Sequence, residues 1–396
     1  MEWQSTGECV PVPISICRGG TSRAVFFRKQ DLTCAETALD AVLKNILGSP
    51  DPRQIDGVGG ATSLTSKVAI IAASPHPDAD VDFTFAQVGV ADDVVDWGGT
   101  CGNISSAVGP YAVNAGFVEA VEPVTVVRIH NTNTDKMLIA EVPVRQGRPT
   151  AQGGFTIPGV PGGAAELKLT FIEPAGAISG ALLPSGKPVD TFRLDGGDHI
   201  QCSIVDAVNP VVFVRAADLG LRGTESPSQI DAQSAVLGVL EEIRSRAAEI
   251  LGLVDDWRLA TAKTPGLPKV AMVAAPGEYV AVSGQVVGAG DADVIARIMS
   301  MGRAHAAYAV SGAIATAAAA AIESSVVNQV RGPVGSTDSI RIGHPAGVMT
   351  IGYRLEHGPE PGQIHLRSAT ASRTARHILD GVVWVPRAIW EEGGDE

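Results

Sequence analysis

Short apolar runs, separated by glycine and proline, recur along most of the chain, which contains 45 Gly and 25 Pro. Several of these runs alternate apolar and polar residues, and others are rich in β-branched side chains, as strands are. The pattern therefore predicts a strand-rich protein. The predicted strands cover residues 12–17, 68–73, 81–90, 124–129, 137–144, 200–205, 211–214, 270–274, 340–342, 348–353 and 364–368.

Apolar residues at helical spacing are less frequent. They predict helices over residues 35–47, 234–251 and 291–301. Two further segments, 104–115 and 313–321, are nearly free of charge and rich in small residues. Because a helix that is apolar on every side is a buried helix, each half of the chain is predicted to contain one buried central helix. A small polar turn containing glycine precedes each of them, at residues 100–103 and 311–312.

The pattern of many strands around one buried helix occurs twice along the chain, and it forms a weak internal repeat. This pattern and the length of 396 residues predict two lobes of α+β architecture. Residues 174–188 are rich in Gly, Ser and Pro and form the best candidate linker. We place the N-terminal lobe at residues 1–186 and the C-terminal lobe at 187–396. This division allows the last ~20 residues to pack with the N-terminal lobe.

Composition and charge exclude several classes of function. The net charge of −13 and the absence of a basic stripe argue against nucleic-acid binding. No apolar stretch is long enough for a membrane span, and no signal peptide opens the chain. Five scattered cysteines without a CxxC pair are typical of a reduced, cytoplasmic protein and provide no zinc site. The edge strands of such a chain make a homodimer a candidate assembly.

The candidate chemistry begins at the two buried helices. Their free backbone N–H groups and dipoles favour anions, so two facing helix starts would form a carboxylate clamp. Either helix taken alone is better explained as an ordinarily capped helix. Cys101 lies at the start of the first helix, where a thiol is accessible and its thiolate is favoured. Lys67 opens an apolar strand after a Ser/Thr-rich loop, and its spacing alone favours a surface lysine over a buried base.

Other polar segments are weaker candidates. Arg18 and the two glycines after it follow a predicted strand and could bind a carboxylate, or form a plain turn with a surface arginine. Residues 303–305 and the turn 343–347 offer polar groups in the second half. A dinucleotide-binding glycine motif, a phosphate-binding loop, a hydrolase nucleophile elbow and a zinc-protease motif are all absent from the sequence.

The motifs as a set resemble the PrpF family. The matching runs are RGGTS (residues 18–22), GSPD (48–51), QIDGVGGATSLTSK (54–67), VDWGGTCGN (95–103), GHPAG (343–347) and SRTAR (372–376). They keep the family's order and span nearly the whole chain. The resemblance implies a fold similar to diaminopimelate epimerase, with two pseudo-symmetric lobes, each a mixed β-sheet wrapped around a buried central helix.

The same resemblance implies a cofactor-independent isomerase without a metal. Its reaction would be a 1,3-allylic proton shift or a cis–trans isomerisation of a small unsaturated polycarboxylate of the aconitate, 2-methylaconitate, methylitaconate or oxalomesaconate type. Lys67 and Cys101 look like the acid/base residues, and which of them takes the proton stays open. The implied substrate contacts are Arg18, Gly19, Gly20, Thr21, Ser22, Ser66, Gly102 and Asn103 in the N-terminal lobe, and Ser311, Gly312, His344 and Gly347 in the C-terminal lobe.

The chain departs from the family pattern at one turn. The family usually has HPSG there, whereas this chain has Ala346, which removes a side-chain contact at that position. Two other functions stay open on the sequence. One is an amino-acid epimerase or racemase of the same fold, which needs a thiol on each side of the stereocentre, where the second lobe offers Ser311. The other is a non-catalytic protein that only binds a polycarboxylate.

Overall fold

The structure, a computed structural model, describes residues 7–332, 338–358 and 364–392. The strands of the first half are β1 (Cys9–Gly19), β2 (Ser22–Arg28), β3 (Lys67–Ala73), β4 (Val81–Val88), β5 (Val95–Asp96), β6 (Val124–Asn131), β7 (Lys136–Arg145), β8 (Arg148–Pro149) and β9 (Leu167–Ile172). The remaining strands are β10 (Asp190–Arg193), β11 (His199–Ala207), β12 (Asn209–Arg215), β13 (Lys269–Ala274), β14 (Tyr279–Val280), β15 (Val286–Val287), β16 (Val294–Ser300), β17 (Arg303–Ala304), β18 (Ser339–His344), β19 (Gly347–His357), β20 (Ile364–Arg373) and β21 (Ala375–Pro386).

The helices lie in the connections between these strands. They are α1 (Leu39–Leu47), α2 (Gly102–Asn114), α3 (Pro227–Asp231), α4 (Ser234–Ile250), α5 (Ala260–Lys263), α6 (Val310–Ala321), α7 (Val326–Val330) and α8 (Arg387–Glu392). Short 3₁₀ turns cover Lys29–Asp31, Glu36–Ala38, Ala216–Leu219 and Trp257–Leu259. Each helix in the part of the chain that the structure describes falls short of the length and apolarity needed to span a bilayer.

The two halves repeat one pattern of strand pairing. In the first half, β1, β2, β3, β4, β6, β7 and β9 pair in that order: antiparallel, parallel, antiparallel, parallel, antiparallel and antiparallel. In the second half, β11, β12, β13, β16, β18, β19 and β20 pair with the same directions in the same order. The internal repeat predicted from the sequence is therefore present as two copies of one sheet.

The outer strands and the seam complete the arrangement. β21 pairs with β1 as β10 pairs with β11, so a strand from the end of the chain occupies the equivalent place in the first half. β9 pairs with β20, and this antiparallel pair joins the two sheets into one. Residues 173–189 connect β9 to β10 without a helix or strand.

One buried helix fills each half. α2 is buried at every position except Pro110 and Asn114, and α6 at every position except Ala321. Both contribute to one continuous apolar core with the inner faces of the two sheets. α1 and α4 cover the outer faces with separate apolar clusters. The predicted fold class, α+β with two pseudo-symmetric lobes around central helices, is confirmed.

One predicted helix is wrong. Residues 291–301 contain the strand β16, which pairs with both β13 and β18. Its residues are buried from Val294 to Met299, and a run that is apolar along its whole length does not distinguish a central strand from a buried helix. The start of the second central helix also needs a correction, because α6 begins at Val310 and so contains Ser311 and Gly312 in its first turn.

Candidate active site

The N-termini of the two central helices meet between the lobes. A Cβ atom on Gly102, the first residue of α2, would stand 2.8 Å from the Cβ of Val310, the first residue of α6. Only glycine permits this approach. The Asn209 amide ties the two helix starts together, because its Nδ2 donates to the Thr100 carbonyl at 2.7 Å and to Ser311 Oγ at 3.2 Å.

A small space at this junction, named here the central cavity, has a volume of about 50 Å³. Its walls come from both halves. They comprise Ser22, Lys67, Phe85, Gln87, Asp96, Gly99, Thr100, Cys101, Gly102, Asn103, Asn209, Gly266, Leu267, Lys269, Ser300, Met301, His305, Ala309, Val310 and Ser311.

Lys67 is a buried lysine in this wall, not a surface residue. It opens β3 with 6% of its surface exposed, and its ammonium lies 5.3 Å from the centre of the Phe85 ring. Its Nζ donates to Gln87 Oε1, while the Gln87 amide donates to the Ser66 carbonyl at 2.8 Å. Burial lowers the pKa of Lys67, an effect that the nearby Cys101 and Asp96 only partly offset. The lysine is thus placed to act as a neutral amine.

Cys101 occupies the N-cap position of α2 with extended backbone. Its carbonyl accepts from the Ser105 N–H at 2.9 Å and from Ser105 Oγ at 3.0 Å, which fixes the first turn. The N–H groups in the first turn of an α-helix, which in α2 precede that of Ser105, have no acceptor within the helix. At α2 and α6 these groups belong to residues that line the central cavity, Gly102 and Asn103 in one case and Val310 and Ser311 in the other. The cavity therefore sits between two positive helix ends.

Lys269 and His305 line the cavity from the second half. Burial and the neighbouring Lys67 lower the pKa of Lys269 to about 8. Burial, reinforced by the same two lysines, lowers the pKa of His305 to about 3, so this imidazole is neutral at ordinary pH. Its Nδ1 accepts from the Ala307 N–H at 2.9 Å, which assigns the ring proton to Nε2. The second half thus offers a cation and a neutral N–H donor.

The turn between β1 and β2 packs on the start of α2. A Cβ on Gly19 or Gly20 would collide with Asn103, and Gly20 has a φ of 51°, so both positions require glycine. Arg18 does not line the central cavity and stabilises this turn, since its Nη1 donates to the carbonyls of Gly20 and Thr374 at 2.9 Å.

The predicted site residues lie in several different parts of the structure. Ser22, Lys67, Cys101, Gly102, Asn103 and Ser311 meet in the central cavity. Thr21, Asn103 and His344 line a second, larger cavity. Ser66 lies behind Lys67, where its Oγ accepts from Gln54 Nε2 at 2.7 Å. Gly312 packs against Ile298 in the core, and Gly347 packs on Pro158.

Several wall residues were missed on the sequence, among them Asp96, Gln87, Asn209 and Lys269. The internal repeat held a usable signal for one of them, because Lys269 opens β13 as Lys67 opens β3. The sequence held no such signal for Asn209 and Gln87, since a single amide in a strand-rich chain has no distinctive spacing. Within the described part of the chain, no three His, Cys, Asp or Glu side chains are grouped so that they could hold a metal ion.

Comparison with known proteins identifies the family. The family model described as PrpF protein matches residues 9–386. The chain belongs to the PrpF family. It is 44% identical over 378 residues to 3-methylitaconate isomerase of Eubacterium barkeri, covering 95% of this chain and 98% of that protein. It is 40% identical to 2-methyl-aconitate isomerase of Cupriavidus necator, with 95% and 98% covered.

A third relative of this PrpF protein, 4-oxalomesaconate tautomerase of Pseudomonas putida, is 39% identical over 97% of this chain and 98% of its own. Among solved structures, methylitaconate-delta-isomerase superposes with a TM-score of 0.77 at 43% identity, covering 96% of this chain and 97% of that chain. The PrpF protein described here is therefore an isomerase. A probable proline racemase from Agrobacterium radiobacter K84, with a TM-score of 0.56 at 15% identity and 94% and 92% covered, shares the fold.

Proposed function

We propose that the protein moves a proton along the allylic system of a small unsaturated polycarboxylate and needs no cofactor for it. The observation that carries this proposal is the buried Lys67, with its lowered pKa, in one small cavity with Cys101 and two helix N-termini. The named activities of the three relatives, all on unsaturated carboxylic acids, support the substrate class.

The reaction requires a base and a means of stabilising negative charge. Removing a proton from the carbon next to a C=C–COO⁻ unit gives a delocalised dienolate. Neutral Lys67 takes this proton from one end of the three-carbon system. A proton is then delivered to the other end, by Cys101 or by the Lys67 ammonium, and the double bond moves by one position. The residues that give and receive the proton exchange roles in the reverse reaction.

The negative charge that develops on the carboxylate is stabilised by fixed donors. Helix N–H groups at Gly102 and Asn103 offer hydrogen bonds that cost no reorganisation during the reaction. Lys269 adds a positive charge from the second half, which attracts the anionic substrate and its transition state alike. Asp96 is the one carboxylate in the wall, and the Gly98 and Gly266 N–H groups donate to it. The balance of charge in the cavity therefore favours an anionic substrate.

The epimerase alternative has less support. A two-thiol mechanism needs a cysteine at the start of each central helix, and the N-cap of α6 is Ala309. Cys202 lies buried in β11, and burial raises the pKa of its thiol. The second lobe therefore supplies no thiol to the cavity.

The proposal is tested with a panel of aconitate, 2-methylaconitate, methylitaconate and oxalomesaconate, incubated with the metal-free enzyme in D₂O and followed by proton NMR. We expect at least one compound to shift its double bond and to acquire deuterium at the allylic carbon. Binding of these compounds without exchange would indicate the non-catalytic alternative, and exchange at an amino-acid α-carbon would indicate the epimerase.

Two further aspects belong to the same proposal. We propose a cytoplasmic location, which the five cysteines support because none of them is in a disulfide. We also propose a homodimer, because β21 is long and, in the described residues, pairs only with β1. Sedimentation equilibrium tests the homodimer, and a single species of 40.8 kDa would contradict it.

A further inference from the structure

Unpartnered buried polar atoms cluster around two neighbouring cavities. In the described residues, four buried side-chain nitrogen or oxygen atoms lack a hydrogen-bond partner. Three of them are Thr21 Oγ1, Ser22 Oγ and His344 Nε2, which line either the central cavity or the second cavity. Buried polar groups are normally paired, and an unpaired group costs free energy. Such a cluster indicates a place where a polar ligand completes the hydrogen bonds.

The second cavity, named here the Arg373 cavity, has a volume of about 450 Å³. That volume lies within the usual range for small-molecule sites, about 300–1,000 Å³. Asn103 lines both cavities, so the two spaces adjoin at the start of α2. The wall comprises Thr21, Asn103, Phe155, Thr156, Ile157, Pro158, Lys168, His344, Val348, Met349, Thr350, Gly352, Thr370, Ser372 and Arg373.

Arg373 is a buried cation that has no anionic partner in the described part of the chain. Only 4% of its surface is exposed. Its guanidinium donates to the Ser372 carbonyl at 2.7 Å and to Met349 Sδ at 2.6 Å. Among the described residues no carboxylate forms an ion pair with it, and burial lowers its pKa to about 10 without a compensating charge. A buried arginine is usually paired, because burying a lone charge is expensive.

His344 adds a hydrogen-bond donor to the same wall. It is fully buried, and its Nδ1 accepts from the Ala346 N–H at 3.2 Å, so the proton lies on Nε2. This N–H group has no acceptor in the described part of the protein. Burial, together with Arg373, lowers the pKa of His344 to about 3. The imidazole therefore stays neutral and offers one N–H.

The charge of the wall distinguishes this cavity from a third one. A space of about 500 Å³ also adjoins the central cavity and shares Gly266, Lys269 and Met301 with it. Its wall contains Asp92, Asp93 and Glu241, and its Arg244 is paired with Glu241 at 2.6 Å. The Arg373 cavity, by contrast, is lined by Arg373 and Lys168 and by no acidic residue. An anion is favoured in the Arg373 cavity and opposed in the acidic one.

We propose that the Arg373 cavity binds a carboxylate group of the substrate remote from the reacting carbons, with Arg373 as its charged partner and Thr21 and His344 as hydrogen-bond donors. The inference rests on the proposed substrate class, a polycarboxylate. The central cavity is much smaller than the Arg373 cavity and shares Asn103 with it, so a substrate with its reacting carbons beside Lys67 would place a remote carboxylate in the Arg373 cavity. Bidentate binding by a guanidinium matches the planar shape of a carboxylate. Arg373 is thus a specificity-determining residue for the number and position of carboxylates.

The test is binding of two saturated analogues that differ in one group. Propane-1,2,3-tricarboxylate has a carboxylate where 3-methylpentanedioate has a methyl, and neither can be isomerised. Isothermal calorimetry on the wild type should show the tricarboxylate binding at least about tenfold more tightly. In Arg373→Met we expect the preference to fall to about twofold or less. Arg367→Met, which changes an exposed arginine on the same strand, should keep it.

The Thr21→Val variant is a second, independent test of the proposed carboxylate subsite. It removes a hydroxyl that has no protein partner, and the Thr21 N–H still donates to Asn103. The fold should therefore be retained, and the preference for the tricarboxylate should fall several-fold. If the preference survives unchanged in Thr21→Val and in folded Arg373→Met, the proposed subsite is wrong. Because these analogues do not react, this result is separate from a failure of wild-type isomerisation in D₂O, which would instead overturn the proposed function.

Discussion

The two halves of the molecule contribute equivalent elements to the central cavity but different chemical groups. Each half opens its third strand with a lysine, Lys67 on β3 and Lys269 on β13, and each directs a buried helix start at the cavity. The N-cap of α2, however, is Cys101, whereas the N-cap of α6 is Ala309. The repeated architecture therefore carries a thiol at a helix start in one half only.

The two lysines also differ in their surroundings. Lys67 is almost completely buried and is held by Gln87. Lys269 is partly exposed, and among the described residues its Nζ donates to the Gly266 carbonyl, at 3.5 Å. In the proposed mechanism the more enclosed Lys67 takes a proton, whereas the more exposed Lys269 attracts an anion. On this comparison the proposed base belongs to the first half, and the second half adds a charge that helps to bind the substrate.

The largest expected effect follows from removing the base. Lys67→Met keeps the length and apolar stem of the side chain but loses the amine. General-base removal typically costs ~10²–10⁴-fold, so kcat should fall by that factor. Steady-state rates on the substrate found in the panel measure it. Lys263→Met changes an exposed lysine at the end of α5 and should retain wild-type rates.

The Cys101→Ser variant distinguishes proton removal at one end of the allylic system from proton delivery at the other end. Net isomerisation should slow by roughly 10–100-fold, because a hydroxyl is a poorer acid than a thiol. Deuterium should still enter at the carbon that Lys67 deprotonates, and proton NMR in D₂O measures both rates. Cys34→Ser, at a partly exposed cysteine away from the cavity, is the control. Equal loss of exchange and of isomerisation would show that Cys101 takes the first proton.

Lys269→Met tests the binding role of the second half. The KM should rise by roughly tenfold with kcat changed little, because a charge that attracts substrate and transition state equally has been removed. The variant should also be more stable. A lysine with a pKa of about 8 in the folded state and ~10.4 unfolded destabilises the fold by about 3 kcal/mol at low pH. The wild type bears that cost below pH ~8 and loses it towards pH ~10.4. The difference in stability between Lys269→Met and the wild type, measured by thermal unfolding, should therefore narrow over this range.

The smallest effect at neutral pH concerns the two buried histidines, and it grows as the pH falls. His305 and His344 have a pKa of about 3 in the folded protein and ~6.5 when unfolded. Since the unfolded state binds the extra protons, stability falls as the pH drops below ~6.5, by about 1.4 kcal/mol per pH unit for each histidine. Urea unfolding of His344→Gln should show a shallower dependence on pH than the wild type. His365→Gln, at an exposed position on β20, should not.

The hydrophobic pattern was sufficient for the repeated fold, because both central helices are apolar on every side and most strands alternate or are β-branched. It failed at residues 291–301, where an unbroken buried run hid a central strand. In the site, Cys101 was accessible to sequence reasoning through its position before a buried helix. The burial of Lys67 was not, because Phe85 and Gln87, which enclose it, lie on the neighbouring strand β4. Arg373 belonged to a recognised motif, but only the folded protein shows that no described residue gives it an anionic partner.

The most direct test of the proposed chemistry is the pKa of Lys67 in the free enzyme. Protein labelled with ¹³C at the lysine ε-carbons, with Lys67→Met for assignment, gives the titration by NMR. Burial predicts that Lys67 titrates below the ordinary lysine value of ~10.4 and that kcat/KM rises with pH through the same midpoint. A Lys67 signal that titrates at or above ~10.4 would contradict its role as the neutral base.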